Sequence, residues 1–260
     1  MHPILFHFGH ITLYTYGLFV ALGFFAGSMY ISYGAKKMNP QIISQDELYS
    51  LLFYTVIFAL VGARLLFIIT EFREYAAAPL NVFKVWEGGL VYYGGFIAAL
   101  LCVIIYTWRK KISILALGDI FAPALALGHF FGRIGCFFAG CCYGKSCELP
   151  WTVVFNNPDT LAARGIPLHP TQLYEAFCNI VLFVLLYRYN KKPHANGLTI
   201  AFYLIAYALF RFTIEFFRGD DRGAQFLGLS ISQAVSIVIL LIGIFLFYKR
   251  SNSGKVKSEE

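Results

Sequence analysis

The sequence predicts an all-α, polytopic membrane protein of seven transmembrane helices, with the N-terminus outside, the C-terminus cytoplasmic and a small extracytoplasmic cap. Three observations predict it. The chain is 58% hydrophobic, 18% aromatic and only 13% charged, whereas soluble domains carry about 25% charged residues. Apolar runs of roughly 20 residues, the length that crosses a bilayer as a helix, recur along nearly the whole chain. The connectors between these runs alternate between basic and mixed in charge.

Taken in order, the spans fall at about 11–33, 48–70, 90–108, 113–138, 171–187, 198–217 and 227–248. The segment before the first, MHPILFHFGH, has neither a basic n-region nor a small-residue cleavage site, so it is read as mature structure. Lys36 and Lys37 follow span one; Arg109, Lys110 and Lys111 follow span three; Arg188, Lys191 and Lys192 follow span five; Lys249, Arg250, Lys255 and Lys257 follow span seven. The positive-inside rule makes those ends cytoplasmic. The connectors after spans two and six mix Glu71, Arg73, Glu74, Lys84 and Glu87, or Arg218, Asp220, Asp221 and Arg222. The longest connector, 139–170, lies outside after span four and forms the cap of a single domain over 1–250. Residues 251–260 are polar, and a disordered cytoplasmic tail is expected there. The net charge of +7 is distributed as topology, without the basic stripe and interleaved aromatics of a nucleic-acid binder.

Ionisable residues inside spans are costly, about 2.5 to 3.5 kcal/mol each at mid-membrane on insertion scales, and mark function by default. Arg64, Arg133 and Arg211 with Glu215 fall toward the outer ends of spans two, four and six. Tyr16, Tyr92, Tyr93, His169 and Glu175 fall at the same level on spans one, three and five. Tyr207, Arg211 and Glu215 lie on one helix face, with Arg218 three residues on. One arginine alone can snorkel to headgroups. Three at one depth suit a pocket for an anion, since the guanidinium fork matches a phosphate and stays charged when desolvated. Gly62 and Gly132 are read as helix-packing residues, and the GGLVYYGG run around Tyr92 and Tyr93 as irregular backbone beside a cavity.

Cys136, Cys141, Cys142 and Cys147 crowd the outer end of span four. Their spacing is not that of a tetrahedral zinc site. Outside the cytoplasm at least one disulfide is expected among them, with its connectivity unreadable. Cys102 and Cys178 are expected to be lipid-facing or packed spectators.

The segment GRIGCFFAGCCYGK at 132–145 resembles the signature of the prolipoprotein diacylglyceryl transferases. It is accompanied in order by YG at 16–17, GARL at 62–65, VWEGGLVYYGG at 85–95, GDIFAP at 118–123, HPTQLYE at 169–175 and YALFRFTIEFFR at 207–218. The resemblance implies a seven-helix enzyme of the bacterial inner membrane with its active site facing outward. Such an enzyme moves the diacylglyceryl group of phosphatidylglycerol onto the lipobox cysteine of a prolipoprotein, forming a thioether and releasing glycerol 1-phosphate. It also implies that Arg133 and Arg211 handle the phosphate and that Tyr16, Tyr207, Gly144, Glu215 and His169 occupy further site positions; Arg64 and Glu175 complete the expected substrate pocket. Tyr93 stands where many members place a histidine thought to act as base. Cys136, Ala139 and Cys141 replace the signature's two asparagines and its glutamate. No cofactor and no metal are expected, and the enzyme is expected to be a monomer among membrane lipid. A divergent relative that alkylates another acceptor, or a transporter of anionic solutes, are the competing readings.

Overall fold

The computed structural model describes residues 1–8, 11–38, 42–77, 79–83, 89–220, 225–226 and 228–256. Lys84, Glu87, Gly88, Asp221, Arg222 and Lys257, which the sequence reading used, lie outside the described residues. By contacts the chain divides into two units, one of residues 1–34 and 118–260 and the other of residues 35–117.

The smaller unit is built on two long helices, α2 (Gln45–Thr70) and α4 (Tyr92–Lys110), joined by the short α3 (Phe72–Ala77) and a 3-10 turn over Pro79–Phe83. Ser44 starts α2 with a capping box: its hydroxyl accepts from Glu47 N at 3.3 Å while Glu47 Oε2 accepts from Ser44 N, also at 3.3 Å. The two long helices pack against each other along a seam of small residues. A Cβ on Gly62 would collide with Ala98 Cβ and lie 2.6 Å from Gly94 O; one on Gly94 would collide with Gly62 O. This seam corrects the expectation of irregular backbone across the whole GGLVYYGG run: Gly94 and Gly95 are buried in the regular first turns of α4, where their lack of side chain serves close helix packing. Gly89, at φ +78°, lies in the non-helical stretch just before α4.

The larger unit opens with a hairpin of β1 (Ile4–Phe8) and β2 (Ile11–Tyr14), so the first helix, α1 (Thr15–Met38), begins four residues later than the span drawn from residue 11. It continues with α5 (Ile114–Ala139), the cap, α6 (Thr171–Tyr189), α7 (Leu198–Glu215) and α8 (Ile231–Val256). Two-residue strands pair β3 (Val153–Val154) with β4 (Pro167–Leu168) in the cap and β5 (Gln225–Phe226) with β6 (Leu229–Ser230) ahead of α8. The cap has its own core of Phe155, Ala162 and Leu168, with Phe137, Tyr143 and Val153 against it. Ala122, Ala126, Leu182, Leu186 and Tyr203 form the core among α5, α6 and α7. Helix α8 continues to Val256, six residues beyond the point at which the sequence suggested a disordered tail.

Two side chains fix helix ends in this unit. Asp119 on α5 accepts from Gly197 N at 2.6 Å and Ile200 N at 2.9 Å, occupying two otherwise unpaired donors at the start of α7. Asn190 at the end of α6 donates to Asp119 O at 2.9 Å. The GDIFAP motif thereby acquires a structural role: it caps a neighbouring helix.

Among the described residues six helices are long and apolar enough to cross a membrane: α1, α2, α4, α5, α7 and α8. Helix α6 is long enough to cross but too polar to count by hydropathy. Thr171, Gln172, Glu175 and Asn179 on it are all fully buried, so its polarity is spent inside the protein.

Candidate active site

Glu175, one turn into α6 and wholly buried, is the centre of an ion cluster. Arg133 from α5 places Nε 2.7 Å from Glu175 Oε2; Arg218, just past α7, places Nη1 3.3 Å from Oε1; Arg211 on α7 places Nη1 3.5 Å from the same oxygen. Around this carboxylate the cations are shared with two more. Arg211 Nη1 lies 2.7 Å from Glu215 Oε2, and Arg218 makes two bonds to Asp220, from Nε at 2.8 Å and Nη2 at 2.7 Å. Ser232 accepts from Arg211 Nη2 at 2.9 Å, and Ser230 donates to Glu215 Oε1 at 2.8 Å. Three arginines are thus matched by three carboxylates, the pairing that lets charges persist in a poorly solvated interior.

The arginines are not equivalent. The side chains of Arg211 and Arg218 are 8% and 2% exposed, that of Arg133 is 21% exposed. Arg211 commits both terminal nitrogens to its protein partners. Arg133 is held by Nε alone; among the described residues its Nη1 and Nη2 make no hydrogen bond or ion pair. Its outer fork is oriented by Glu175 and open to a ligand.

Backbone stitching brings the chain ends of these helices together. Gly144 N donates to His169 O at 2.9 Å, Lys145 N to Phe217 O at 2.8 Å, His169 N to Lys145 O at 3.0 Å and Gly219 N to Tyr143 O at 3.1 Å. A Cβ on Gly144 would collide with His169 Cβ and come 2.7 Å from Phe217 O; one on Gly219 would stand 2.7 Å from Gly144 C and O and Lys145 N. Gly144 thus lies where the backbones approach closely, and Gly219, which the sequence reading did not single out, faces it.

Of the other expected residues, Tyr16 packs on Gly135, one residue before Cys136. Tyr207 joins a ring cluster with His129 at 5.2 Å, Tyr203 at 5.6 Å and Phe210 at 5.1 Å, one turn before Arg211. His169 does not join the ion cluster through any contact among the described residues. Its Nδ1 lies 3.2 Å from the Tyr174 hydroxyl, which accepts from Trp151 Nε1 at 2.8 Å. Arg64 and Tyr93 belong to the other unit. Arg64 donates to Val82 O, Gly89 O and Asn81 O at 3.1, 3.2 and 2.8 Å, between the Phe67 and Tyr75 rings, and so pins the loop before α4. Tyr93 is 60% exposed in the first turn of α4, edge-on to Tyr92.

Sequence reasoning named Arg218 as the end of a stripe and a connector charge, Asp220 only as a connector charge and Thr171 and Gln172 only within the HPTQLYE segment, and left Ser230 and Ser232 unremarked. For Arg218 the signal was present, as the i+7 continuation of Arg211 and Glu215. For the others it was not, because each lies beyond a helix end or at its first turn, where periodicity says nothing.

The cysteines depart from expectation: all six are free, so the disulfide expected among Cys136, Cys141, Cys142 and Cys147 is not formed. Cys147 is tied into the cap by its N–H to Pro167 O at 3.1 Å, while the sulfurs of Cys136, Cys141 and Cys142 gather within 4.8 Å of one another. Hydrogen bonds from Cys136 and Cys141, then the nearby Arg218 and Arg133, push the Cys142 thiol well below its ordinary range; the same sharing pushes Cys141 up. Burial alone would lower the pKa of Arg218, but Asp220 and Cys142 hold it above the ordinary value.

A profile of the prolipoprotein diacylglyceryl transferase family matches residues 3–249. The chain is 36% identical over 247 residues to a phosphatidylglycerol–prolipoprotein diacylglyceryl transferase of Clostridium tetani, covering 95% of this chain and 97% of the relative. It is 34% identical over 250 residues to the enzyme designated 2 in Clostridium perfringens, with 96% of each chain covered, and 33% identical over 260 residues to that of Bordetella bronchiseptica, covering 96% of this chain and 97% of the relative.

Proposed function

The chain belongs to the prolipoprotein diacylglyceryl transferase family, and from that membership we propose that it transfers the diacylglyceryl group of phosphatidylglycerol to the lipobox cysteine of a prolipoprotein, releasing glycerol 1-phosphate, as the first step of lipoprotein maturation. The observation that carries the reading is Arg133. Its Nε is fixed by a buried carboxylate at 2.7 Å, and its outer fork is free among the described residues to take the two oxygens of a phosphodiester.

The acceptor sulfur, as thiolate, attacks the glyceryl carbon that bears the phosphate ester. A C–S bond forms, the C–O bond breaks, and the electron pair leaves on the phosphate oxygen. Negative charge grows on that phosphate, so Arg133 stabilises the transition state more than the bound lipid. Arg211 contributes as a second positive centre, and with Arg218 it holds Glu175 and hence the angle of the Arg133 fork. The same field lowers the pKa of an incoming thiol, so a weak base suffices to ionise it. Tyr16, Tyr207, Glu215 and Gly144 shape the lipid site around this cluster, and His169 with Tyr174 borders it.

The topology that goes with this chemistry has seven spans in one membrane domain over residues 1–250, α6 being the seventh. Its N-terminus is outside and the site opens to the extracytoplasmic leaflet of the bacterial inner membrane. The basic connectors support it. The enzyme works as a monomer with phosphatidylglycerol and the lipobox precursor as partners. The test is a purified protein given phosphatidylglycerol vesicles and a lipobox peptide. Mass analysis is expected to find the thioether-linked peptide and free glycerol 1-phosphate in equal amounts. Vesicles lacking phosphatidylglycerol should give neither, and lipid turnover without peptide modification would overturn the acceptor assignment.

A further inference from the structure

We propose that Cys136, Cys141 and Cys142 form a three-sulfur binding site for a thiophilic d10 cation, zinc(II), at the junction of α5 and the cap. In linear order these residues lack the spacing of a zinc motif. Folding supplies what the spacing does not, because the three Sγ atoms lie within 4.8 Å of one another. Tetrahedral zinc with Zn–S bonds of about 2.3 Å needs sulfurs about 3.8 Å apart, so small side-chain adjustments close the site.

The frame around the thiols is already organised. The Cys141 and Cys142 carbonyls accept from Gln172 Nε2 and Thr171 Oγ1, each at 2.7 Å, and both donors sit on fully buried side chains of α6. Gly140 at φ +78° makes the turn out of α5, and Cys142 itself adopts φ +64°, a conformation that non-glycine residues hold only where surroundings impose it. That turn puts both members of a vicinal pair on the same side as Cys136, one helical turn earlier. Such locking of the chain that carries the ligands is what the outer shell of a metal site provides. Gln172 Oε1 is buried and has no hydrogen-bond partner among the described residues. A water on the open fourth position of a three-sulfur zinc would be a donor of the kind this oxygen lacks.

Charge favours the same ion. The bound site holds three thiolates, one divalent cation and one water, a net charge of −1, and whatever protons the sulfurs still carry leave to solvent. No electron is transferred and no oxidant is needed. Arg218 and Arg133 are both close enough to act electrostatically on Cys142, so a single negative charge there is compensated. Hard cations are disfavoured by an all-sulfur donor set.

The experiment uses the full-length protein in detergent with reductant, titrated with cobalt(II) and then zinc(II). The expected result is thiolate-to-cobalt charge-transfer absorption that saturates at one ion per chain and is bleached by zinc. Alkylation mapped by mass spectrometry should show that zinc protects Cys136, Cys141 and Cys142 and leaves Cys147 reactive. Cys141→Ser should weaken zinc binding more than about 100-fold, beyond the 10- to 100-fold effect of losing an outer-shell partner, while Cys147→Ser leaves it unchanged. Absence of the charge-transfer band, protection of Cys147 alone, or a band unchanged in Cys141→Ser would overturn the site. Should Cys141→Ser fail to fold, the protection map of the parent decides. Because none of these readouts is transfer activity, the site stands or falls apart from the enzyme assignment.

Discussion

Replacing Glu175 by glutamine tests the architecture of the ion cluster directly. The substitution keeps the shape and removes one charge from a wholly buried position where guanidinium nitrogens stand at 2.7, 3.3 and 3.5 Å. A balanced set of three cations and three carboxylates becomes a set with one uncompensated cation. Breaking a buried pair in this way costs about 3–5 kcal/mol. For a chain of this size each kcal/mol moves the unfolding midpoint by roughly 2–4 °C, so a fall of about 6–20 °C is expected. The assay is thermal unfolding in detergent followed by helical circular dichroism. The companion Arg218→Gln variant, and the double variant, close a cycle. Removing both partners restores neutrality, so the double variant should be more stable than the sum of the single effects requires, by up to about 3 kcal/mol. A midpoint within about 2 °C of the parent in Glu175→Gln, or additive effects in the cycle, would refute the claim that Glu175 is the shared counter-ion.

Arg133→Ala should lower transfer by about 100- to 1000-fold while the protein still inserts, because it removes the open fork; activity within threefold of the parent, in the assay with phosphatidylglycerol and peptide, would sink the clamp. Gly144→Ala should destabilise the protein by about 1–3 kcal/mol through overpacking against His169 and the Phe217 carbonyl, read as a lower unfolding midpoint. Tyr93→Phe should reduce the rate by under about tenfold, since the field of the arginines already eases ionisation of the incoming thiol; a loss of about 100-fold or more, rescued by Tyr93→His, would place proton transfer at this residue. Non-reducing mass analysis of the purified chain should find no disulfide-linked peptides among Cys136, Cys141, Cys142 and Cys147, as all are free, and a bridge between any two would contradict the thiol cluster.

Much of the fold was legible because the membrane simplifies the code. Apolar length gave most of the long helices to within a few residues, missing α8 by eight at its end, and six of them are long and apolar enough to cross a membrane. The seventh run, α6, was drawn from the same pattern, but its buried Gln172, Glu175 and Asn179 lower its hydropathy. The hairpin at Ile4–Tyr14 was missed because its apolar residues merge with those of α1 and hide the change of period at Thr15. The glycines of α4 were misread for a related reason: a glycine pair looks the same in sequence whether it loosens a turn or, as at Gly94 and Gly95, clears space for another helix.

The site was legible in its cations and much less so in its geometry. Cost in the membrane singled out Arg64, Arg133 and Arg211 alike, but cost cannot say what satisfies the charge. Arg64 gives its donors to three backbone carbonyls of its own unit, Arg211 gives its terminal nitrogens to Glu215, Glu175 and Ser232, and Arg133 alone of the three keeps a terminal fork open among the described residues. The difference follows from the partners. An arginine held by two or more acceptors has its direction fixed and its charge spent, whereas one gripped only at Nε has its direction fixed and its charge available. Glu175 makes that possible for Arg133, and its own negative charge is in turn kept stable by Arg211 and Arg218. The buried carboxylate is therefore as necessary to an anion site as the arginine that would touch the anion, because without it the open guanidinium would have neither a fixed direction nor a reason to remain inside.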